Sequence, residues 1–139
     1  RVIHVNLIGT ASLVRAALPF LERAANPRIV NVASTLGLRT LGAATAYCAS
    51  KFGVVGLTRG LALDLAGRVG VTLLIPGGMN THFFDGRDPQ FKPAADAFEQ
   101  NQLNDPANVA DTVVYALTRP VGCEIREMVV AASTEPSWP

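Results

Sequence analysis

The pattern of hydrophobic and polar positions divides the chain into segments with helical periodicity and short apolar runs typical of strands. Apolar residues recur at three- and four-residue steps over positions 1–25, which predicts a helix. Two short runs, RIVNVAS at 28–34 and VTLLIP at 71–76, are almost entirely apolar, which is typical of strands buried on both faces of a parallel sheet. A long helix over 45–66 is predicted between them, so the chain begins helix, strand, helix, strand.

The C-terminal part continues this alternation after an irregular stretch. Residues 78–104 show no sustained period, and one short helix is expected there at about 94–100. Asp105 is a good N-cap and Pro106 suits the first helical position, so a helix begins at this point. A last strand is predicted over 126–132. Strands that alternate with long helices predict an α/β fold with a parallel sheet and right-handed crossovers.

The composition limits the classes of function. The 139 residues fit a single domain, and 49% hydrophobic with 17% charged residues is typical of a folded chain. The net charge of +1 comes without a basic run, so no nucleic-acid partner is expected. We find neither a stretch long and apolar enough to span a bilayer nor a signal peptide, so we expect no membrane partner and a cytoplasmic location. Cys48 and Cys123 lack metal-ligand spacing and are expected to be free thiols, with no metal site. Trp138, in the tail, is expected to cover an apolar patch.

Candidate chemistry lies where the predicted strands end. Ligands of open parallel sheets bind beyond the carboxyl ends of the strands. The first strand ends at Ser34, and the second ends in a glycine-rich turn, PGGMNT, at 76–81. The long helix after the first strand carries Tyr47 and Lys51, which are four residues apart and therefore neighbours on one helical face. The serine, the tyrosine, the lysine and the turn are therefore expected to line one crevice.

These residue types suit proton transfer at an alcohol or a carbonyl oxygen. A tyrosine has a pKa of about 10, and a nearby ammonium group would lower it toward the range useful for acid–base catalysis. A serine hydroxyl can donate a hydrogen bond to a substrate carbonyl oxygen. No side chain in this set can carry a hydride, so a cofactor is needed for a redox reaction. The alternative is a packed tyrosine beside a solvated lysine, with Ser34 only capping a strand end.

Four segments together resemble consecutive signatures of the short-chain dehydrogenase/reductase family: VNLIGTASLVRAALPFL, IVNVAS, YCASK and PGGMNT. Ser34 lies thirteen residues before Tyr47, which is the family's spacing between the catalytic serine and the tyrosine of its YxxxK motif. The resemblance implies the C-terminal half of a Rossmann-like domain, in which helices cover both faces of a parallel sheet. It also implies reversible oxidation of a secondary alcohol to a ketone with NAD or NADP, which the sequence does not distinguish.

The resemblance also implies a role for each matching residue. Tyr47 would be the general acid/base, Lys51 would bind the nicotinamide ribose and lower the tyrosine pKa, and Ser34 would polarise the substrate carbonyl. Asn6 would hold a water molecule of the proton relay, although a helical asparagine can instead bond to local backbone. Residues 82–104 would form the variable substrate loop. The nicotinamide end of the cofactor would be lined by Pro76, Gly77, Met79 and Thr81, the last of which could instead be a helix N-cap.

One family signature is absent from the sequence. The family's TGxxxGxG turn, which seats the cofactor pyrophosphate on a helix N-terminus, requires glycines two positions apart, and this chain has none. The chain also begins inside a predicted helix without a methionine, so we expect residues 1–139 to be a partial domain whose phosphate-binding part lies upstream. A second hypothesis is a non-catalytic truncated fragment that serves as a structural or interaction module. A nucleotide-binding regulator without turnover is a third, and no residue favours it.

Three glycines in the second helix raise the question of oligomerisation. Gly53, Gly56 and Gly60 each weaken a helix interior by about 1 kcal/mol relative to alanine, which suggests close packing against the sheet or a second subunit. The family resemblance implies that helices 1–25 and 45–66 build a dimer-forming four-helix bundle. A homo-oligomer is therefore expected.

Overall fold

A computed structural model describes residues 1–135 of the protein, so Trp138 lies outside the described residues. Strands and α-helices alternate within this range, as the hydrophobic pattern predicts. A single π-helical turn, His4–Ile8, leads directly into the first α-helix. The elements are α1 (Gly9–Leu21), β1 (Arg28–Val32), α2 (Thr45–Asp64), β2 (Gly70–Pro76), α3 (Pro106–Leu117) and β3 (Glu127–Val130).

The three strands form one parallel sheet in the order β1-β2-β3, which confirms the predicted α/β class. Arg28 pairs with Gly70 at one end of the β1–β2 ladder, and Leu73 pairs with Glu127 at the start of the β2–β3 ladder. Strands β1 and β3 are both shorter than predicted at their C-terminal ends. Every residue of β2 is buried, as expected for the middle strand of a sheet covered on both faces.

Helices cover both faces of the sheet. Apolar side chains on the odd-numbered face of the sheet pack against the first helix and α2 in two clusters. One cluster contains Val71 and the other contains Leu73. Leu74, which points to the other face because side chains alternate along a strand, is 0% exposed. Helix α3 contacts both β1 and β2 and takes no part in the two clusters, so it covers this second face.

The prediction that the crossovers are right-handed is wrong for one of them. The strands follow one another in a single direction across the sheet, so two right-handed crossovers would place α2 and α3 on the same face. Their positions on opposite faces mean that the two connections differ in hand. Helix α3 is held over β1, beyond the strands that it connects: the Arg28 guanidinium, at the start of β1, donates to the Arg119, Pro120 and Cys123 carbonyls that follow α3.

The two ends of the segment between β2 and α3 lie side by side and are joined by backbone hydrogen bonds. The amide of Asn80 donates to the Asn104 carbonyl over 2.9 Å, and the amide of Asn104 donates to the Gly78 carbonyl over 2.9 Å. The helix predicted at 94–100 is wrong, because this stretch consists of turns that do not extend into a helix. Asn101 ends it in a left-handed conformation, with φ at 56°. A single turn cannot offset the cost of starting a helix.

The first helix departs from the regular helix predicted over 1–25. It ends at Leu21, and its π-helical turn is closed by a bond from the Gly9 amide to the His4 carbonyl. Such turns occur often at functional sites, and this one contains Asn6. The segment His4–Leu21 is also long and apolar enough, by length and composition only, to cross a membrane. The expectation that no stretch meets this test is therefore wrong, although core helices of soluble proteins meet it as well.

The glycines of α2 have different surroundings. A Cβ added to Gly53 would lie 2.6 Å from a methyl carbon of Leu7, so this glycine lets α2 approach the π-helical turn closely. The close contact therefore lies between two helices of the chain, where we expected the sheet or a second subunit. Nothing lies within 4 Å of a Cβ placed on Gly56 or Gly60. These two glycines face open space in the single chain.

Candidate active site

Ser34 lies just beyond the C-terminal end of β1 and is 8% exposed. Its hydroxyl accepts a hydrogen bond of 3.1 Å from the Leu36 amide, so it caps the short 3-10 turn Thr35–Gly37. The same hydroxyl lies near enough to Tyr47 to lower the pKa of the tyrosine by hydrogen bonding. The capping role that the sequence left open is therefore present, and it fixes the serine beside the tyrosine.

Tyr47 and Lys51 lie on the first two turns of α2 and are both half-buried. The Lys51 ammonium donates a hydrogen bond of 3.0 Å to the Val32 carbonyl at the end of β1. It lies 5.7 Å from the centroid of the Tyr47 ring. One helical turn therefore brings both side chains to the carboxyl end of the sheet, where Ser34 is already held.

The direction of the Tyr47 pKa shift differs from the prediction. Burial, the largest effect, raises the pKa of Tyr47 above its usual value of 10.0, while the hydrogen bond with Ser34 and the positive charge of Arg87 lower it. The expectation that Lys51 lowers the pKa of Tyr47 is not met in this structure. Burial also lowers the pKa of Lys51, whose ammonium is directed at a backbone carbonyl.

A cavity of about 390 Å³ opens at the carboxyl ends of the strands. It is lined by seven of the eight residues that the sequence proposed for the site, namely Ser34, Tyr47, Lys51, Pro76, Gly77, Met79 and Thr81. The structure therefore brings these seven to one place. Thr81 is exposed and its hydroxyl accepts from the Phe83 amide over 3.3 Å, so it is also the N-cap of the 3-10 turn His82–Phe84.

Asn6, the eighth residue, does not line the cavity but is connected to it through α2. Its side-chain amide donates to the Ser50 hydroxyl over 3.1 Å, and this hydroxyl donates to the Tyr47 carbonyl over 2.7 Å. Ser50 is 0% exposed. The Asn6 side chain therefore bonds across to α2, which differs from the local backbone bond that the sequence left open. Ser50 was missed by sequence reasoning, although it lies within the YCASK motif that carried the argument.

Glu135 is a further residue of the cavity that sequence reasoning missed. Its carboxylate accepts a hydrogen bond of 2.8 Å from the Gly78 amide and occupies the space beside Gly77, where any side chain would overlap it. It is 8% exposed, and burial raises its pKa against the lowering effects of two backbone amides and of Arg39. The residue follows β3 in a stretch without periodicity, so no sequence signal indicated that it reaches the glycine-rich turn.

Aromatic and cationic side chains from the 82–104 segment form the outer part of the cavity. The Phe83 ring lies 5.1 Å from the Tyr47 ring, and Phe84 packs edge-on against Phe83 at 5.1 Å. The Arg87 guanidinium lies 4.4 Å from the centroid of the same Phe83 ring. His82 points to solvent and pairs with Asp85 over 2.9 Å, so it forms no part of this group.

The cavity fits the nicotinamide end of a dinucleotide better than the whole cofactor. Its lining combines apolar side chains, two glycines without a Cβ and four charged side chains, of which the Lys51 ammonium could pair with hydroxyl groups. The anion-binding turn that a pyrophosphate requires is absent from the sequence. The residues present therefore suit a flat, largely apolar ring and an adjoining sugar.

The fold and the cavity define a Rossmann-like α/β protein, and the comparisons identify its family. Residues 1–91 match the family model described as short chain dehydrogenase, and the chain belongs to this family. It is 32% identical over 130 residues to an uncharacterized oxidoreductase of Staphylococcus epidermidis, covering 92% of this chain and 52% of the relative. A Staphylococcus aureus oxidoreductase, also uncharacterized, is 33% identical with the same coverage. The chain thus spans about half the length of these relatives.

Solved structures show the same relationship. The closed form of a serine dehydrogenase complexed with NADP⁺ superposes with a TM-score of 0.80 and 28% identity, over 94% of this chain and 54% of that one. A 3-hydroxyacyl-CoA dehydrogenase type-2 from Mycobacterium avium gives a TM-score of 0.77 and 26% identity, over 95% and 54%. An alcohol dehydrogenase from Thermococcus sibiricus gives a TM-score of 0.78 at 22% identity, over 94% and 52%, which shows the fold alone.

Proposed function

We propose that the chain carries the proton-transfer half of an NAD(P)-dependent oxidoreductase that interconverts a secondary alcohol and a ketone. The observation that carries the proposal is that Ser34, Tyr47 and Lys51 line one cavity at the carboxyl ends of the strands. Membership of the short-chain dehydrogenase family supports the class of reaction. The names of two structural neighbours, a serine dehydrogenase and a 3-hydroxyacyl-CoA dehydrogenase, support the oxidation of a hydroxyl group.

In this proposal each side chain acts on the reacting oxygen or on the group beside it. Tyr47 takes the hydroxyl proton during alcohol oxidation and returns it to the carbonyl oxygen during ketone reduction. Ser34 donates a hydrogen bond to that oxygen and keeps it within reach of the tyrosine. Asn6 acts at a distance, because its bond to Ser50 holds the π-helical turn against the part of α2 that carries Tyr47.

NAD or NADP is the proposed cofactor, and the residues do not distinguish the two. When bound, the nicotinamide cofactor would supply the two-electron hydride chemistry, as acceptor in oxidation and donor in reduction. Lys51 would bind its ribose hydroxyls, and its nicotinamide end would lie against Pro76, Gly77, Met79 and Thr81. The Glu135 carboxylate would share this part of the cavity, since it already accepts from the Gly78 amide.

The proposal extends to the organisation of the intact protein. Residues 1–139 would be part of a larger domain, residues 82–104 would form the substrate loop, and the protein would act in the cytoplasm as a homo-oligomer. Several large apolar side chains of the first helix and α2 are exposed, among them Leu13 at 72% and Leu63 at 79%. This exposure supports a helical contact with a second copy.

The alternative function is a non-catalytic fragment that serves as a structural or interaction module. The observation that favours it is the absence from the sequence of a turn to bind the cofactor pyrophosphate. Turnover of a secondary alcohol by the intact protein separates the two functions, because a structural module catalyses no reaction.

The test of the proposed function is Tyr47→Phe in the intact protein. This change removes the proton donor and keeps the ring packed against Phe83, so we expect kcat for a secondary alcohol to fall by roughly 10²–10⁴-fold. Binding of NAD(P)H, measured by the enhancement of its fluorescence, should be largely unchanged. Tyr115→Phe is the matched control, because Tyr115 is the other tyrosine of the chain and lies exposed on α3. Near-normal turnover by Tyr47→Phe would contradict the proposal.

A further inference from the structure

The charged side chains that line the cavity differ in the groups that pair with them. Four charged side chains line it: Arg39, Lys51, Arg87 and Glu135. The Glu135 carboxylate accepts from the Gly78 amide and is influenced by the positive charge of Arg39. The Lys51 ammonium donates to the Val32 carbonyl. Within residues 1–135, Arg87 forms no ion pair, because the two nearest acids along the loop are engaged elsewhere: Asp85 pairs with His82 and Asp88 caps the next turn.

The Arg87 guanidinium is nevertheless held in a defined position. Its Nε donates to the Phe83 carbonyl over 3.3 Å, and its plane lies over the Phe83 ring at 4.4 Å. A guanidinium has five N–H groups, so this arrangement uses one and leaves a fork that matches a carboxylate. The side chain is half-buried, which increases the value of an ion pair relative to one on the open surface.

Arg87 also lies close to the proposed reacting centre, because it and Tyr47 contact the same aromatic ring. The Phe83 ring contacts both groups, since it lies 5.1 Å from the Tyr47 ring and 4.4 Å from the guanidinium. The remaining lining on this side is largely apolar, with Phe84, Phe91 and Pro93. A ligand whose carbonyl oxygen lies at Ser34 and Tyr47 therefore extends along apolar side chains toward a cation without an acidic partner.

We infer that Arg87 is a specificity-determining residue that binds an anionic group of the substrate, and that the substrates of this site are hydroxycarboxylates and the corresponding oxocarboxylates. The inference rests on the proposed function, because it assumes that Ser34 and Tyr47 hold the reacting oxygen. The carboxylate and the carbinol carbon are separated by a short chain. The guanidinium fork binds the carboxylate through paired N–H bonds, which a neutral amide or ester does not reproduce.

The test compares each acid with its neutral amide in the intact protein. The probes are 2-hydroxybutyrate, 3-hydroxybutyrate and 4-hydroxypentanoate, which are secondary alcohols at three distances from the carboxylate, and the three corresponding amides. We expect kcat/KM for at least one acid to exceed that of its amide by roughly 10- to 100-fold, the range of a hydrogen-bonded charge pair. Arg87→Gln should remove this preference by lowering kcat/KM for the acid far more than kcat/KM for the amide, since any effect through the pKa of Tyr47 is common to both substrates.

Arg119→Gln is the matched control. Arg119 has the same local arrangement as Arg87, because its Nε donates to the carbonyl four residues earlier, that of Tyr115, and its guanidinium lies 3.8 Å from the Tyr115 ring. It does not line the cavity. This variant should keep the preference for the acid, so a loss of preference in both variants would point to a general effect of removing a stacked arginine and would contradict the inference.

Two further measurements separate this inference from its rivals. The anion bound by Arg87 could come from the cofactor, in which case Arg87→Gln would raise KM for NAD(P) equally with acid and amide substrates, and the inference would be wrong. Binding of the acid and of the amide is also measured by calorimetry, independently of turnover. Equal affinity of the wild-type protein for both overturns the inference. A protein that binds the acid preferentially but turns over no secondary alcohol would refute the proposed function alone.

Discussion

At the scale of single residues, burial has the largest effect on the two titratable groups beside Ser34. It raises the pKa of Tyr47 and lowers the pKa of Lys51, so both shifts favour the neutral form of the side chain. The hydrogen bond with Ser34 opposes the shift of Tyr47, because a hydroxyl that donates to the phenolate stabilises its charge. Tyr47 therefore stays protonated throughout the neutral range, as its proposed role in ketone reduction requires.

The pH dependence of the intact protein should follow from these directions. Because the raised pKa keeps Tyr47 protonated, the rate of ketone reduction should be insensitive to this group between about pH 6 and 9, whereas alcohol oxidation should rise with pH. Ser34→Ala removes a group that lowers the pKa of Tyr47, so the pKa should rise further. Phenolate absorbance, titrated as the difference from Tyr47→Phe, measures this pKa directly.

The control for this titration is Ser12→Ala, since Ser12 is an exposed serine on α1. It should leave the Tyr47 titration unchanged. A wild-type tyrosine that titrates at or below its ordinary value of about 10 would show that the charges near Tyr47 outweigh its burial, contrary to our expectation.

At the scale of the elements, contacts between the first helix and α2 position the site. The Asn6–Ser50 bond and the close approach of Leu7 to Gly53 fix the π-helical turn against the half of α2 that carries Tyr47 and Lys51. The 82–104 segment is anchored at its base by backbone bonds and carries its aromatic side chains back over the cavity. The helices therefore position the site residues, and the connecting segment forms one wall of the cavity, to which we assign the proposed selection of the substrate.

Two glycines of α2 test this account of the helix contact. Gly60→Ala should raise the free energy of unfolding of the intact protein by about 1 kcal/mol, because alanine favours a helix and nothing lies within 4 Å of its Cβ. Gly53→Ala should lose this gain or reverse it, since its Cβ would overlap Leu7 and force that side chain out of its cluster. Urea unfolding followed by circular dichroism measures both. Equal stabilisation by the two substitutions would contradict the close contact, and destabilisation by Gly60→Ala would show that Gly60 packs against another chain or segment.

At the scale of the whole molecule, residues 1–135 leave surfaces that a stable monomer would cover. Strand β1 pairs only with β2, so its other edge presents unpaired backbone groups within the described chain. Leu13, Phe20 and Leu63 are each more than 70% exposed on the first helix and α2. Both features favour association with further polypeptide, either from the same protein or from a second copy.

The purified 139-residue chain should therefore behave differently from the intact protein. We expect it to associate, because its sheet edge and apolar helix faces are open, and to bind NAD(P)H weakly, because it contains no turn for the pyrophosphate. Sedimentation velocity measures the association, and NAD(P)H fluorescence measures the binding. A monodisperse monomer that binds NAD(P)H as tightly as the intact protein would refute this expectation.

Local patterns in the sequence determined much of the fold and most of the candidate site. The alternation of apolar runs with amphipathic helices predicted the parallel sheet, because each element's periodicity depends on which of its own faces is buried. The spacing of Tyr47 and Lys51 predicted a shared helical face, and the strand ends predicted that Ser34 and the glycine-rich turn meet them. The short stretch at 94–100 was misjudged because a single turn carries too little pattern to specify a helix.

The tertiary structure decided everything that depends on how distant segments meet. Glu135 reaches Gly78 across 57 positions, and Asn6 reaches Ser50 across 44, so no local period could indicate either contact. The direction of the Tyr47 pKa follows from its burial, which depends on how closely the surrounding segments pack. The face that α3 covers was likewise decided by its contacts with β1 and β2, since α3 carries an apolar stripe that would suit either side of the sheet.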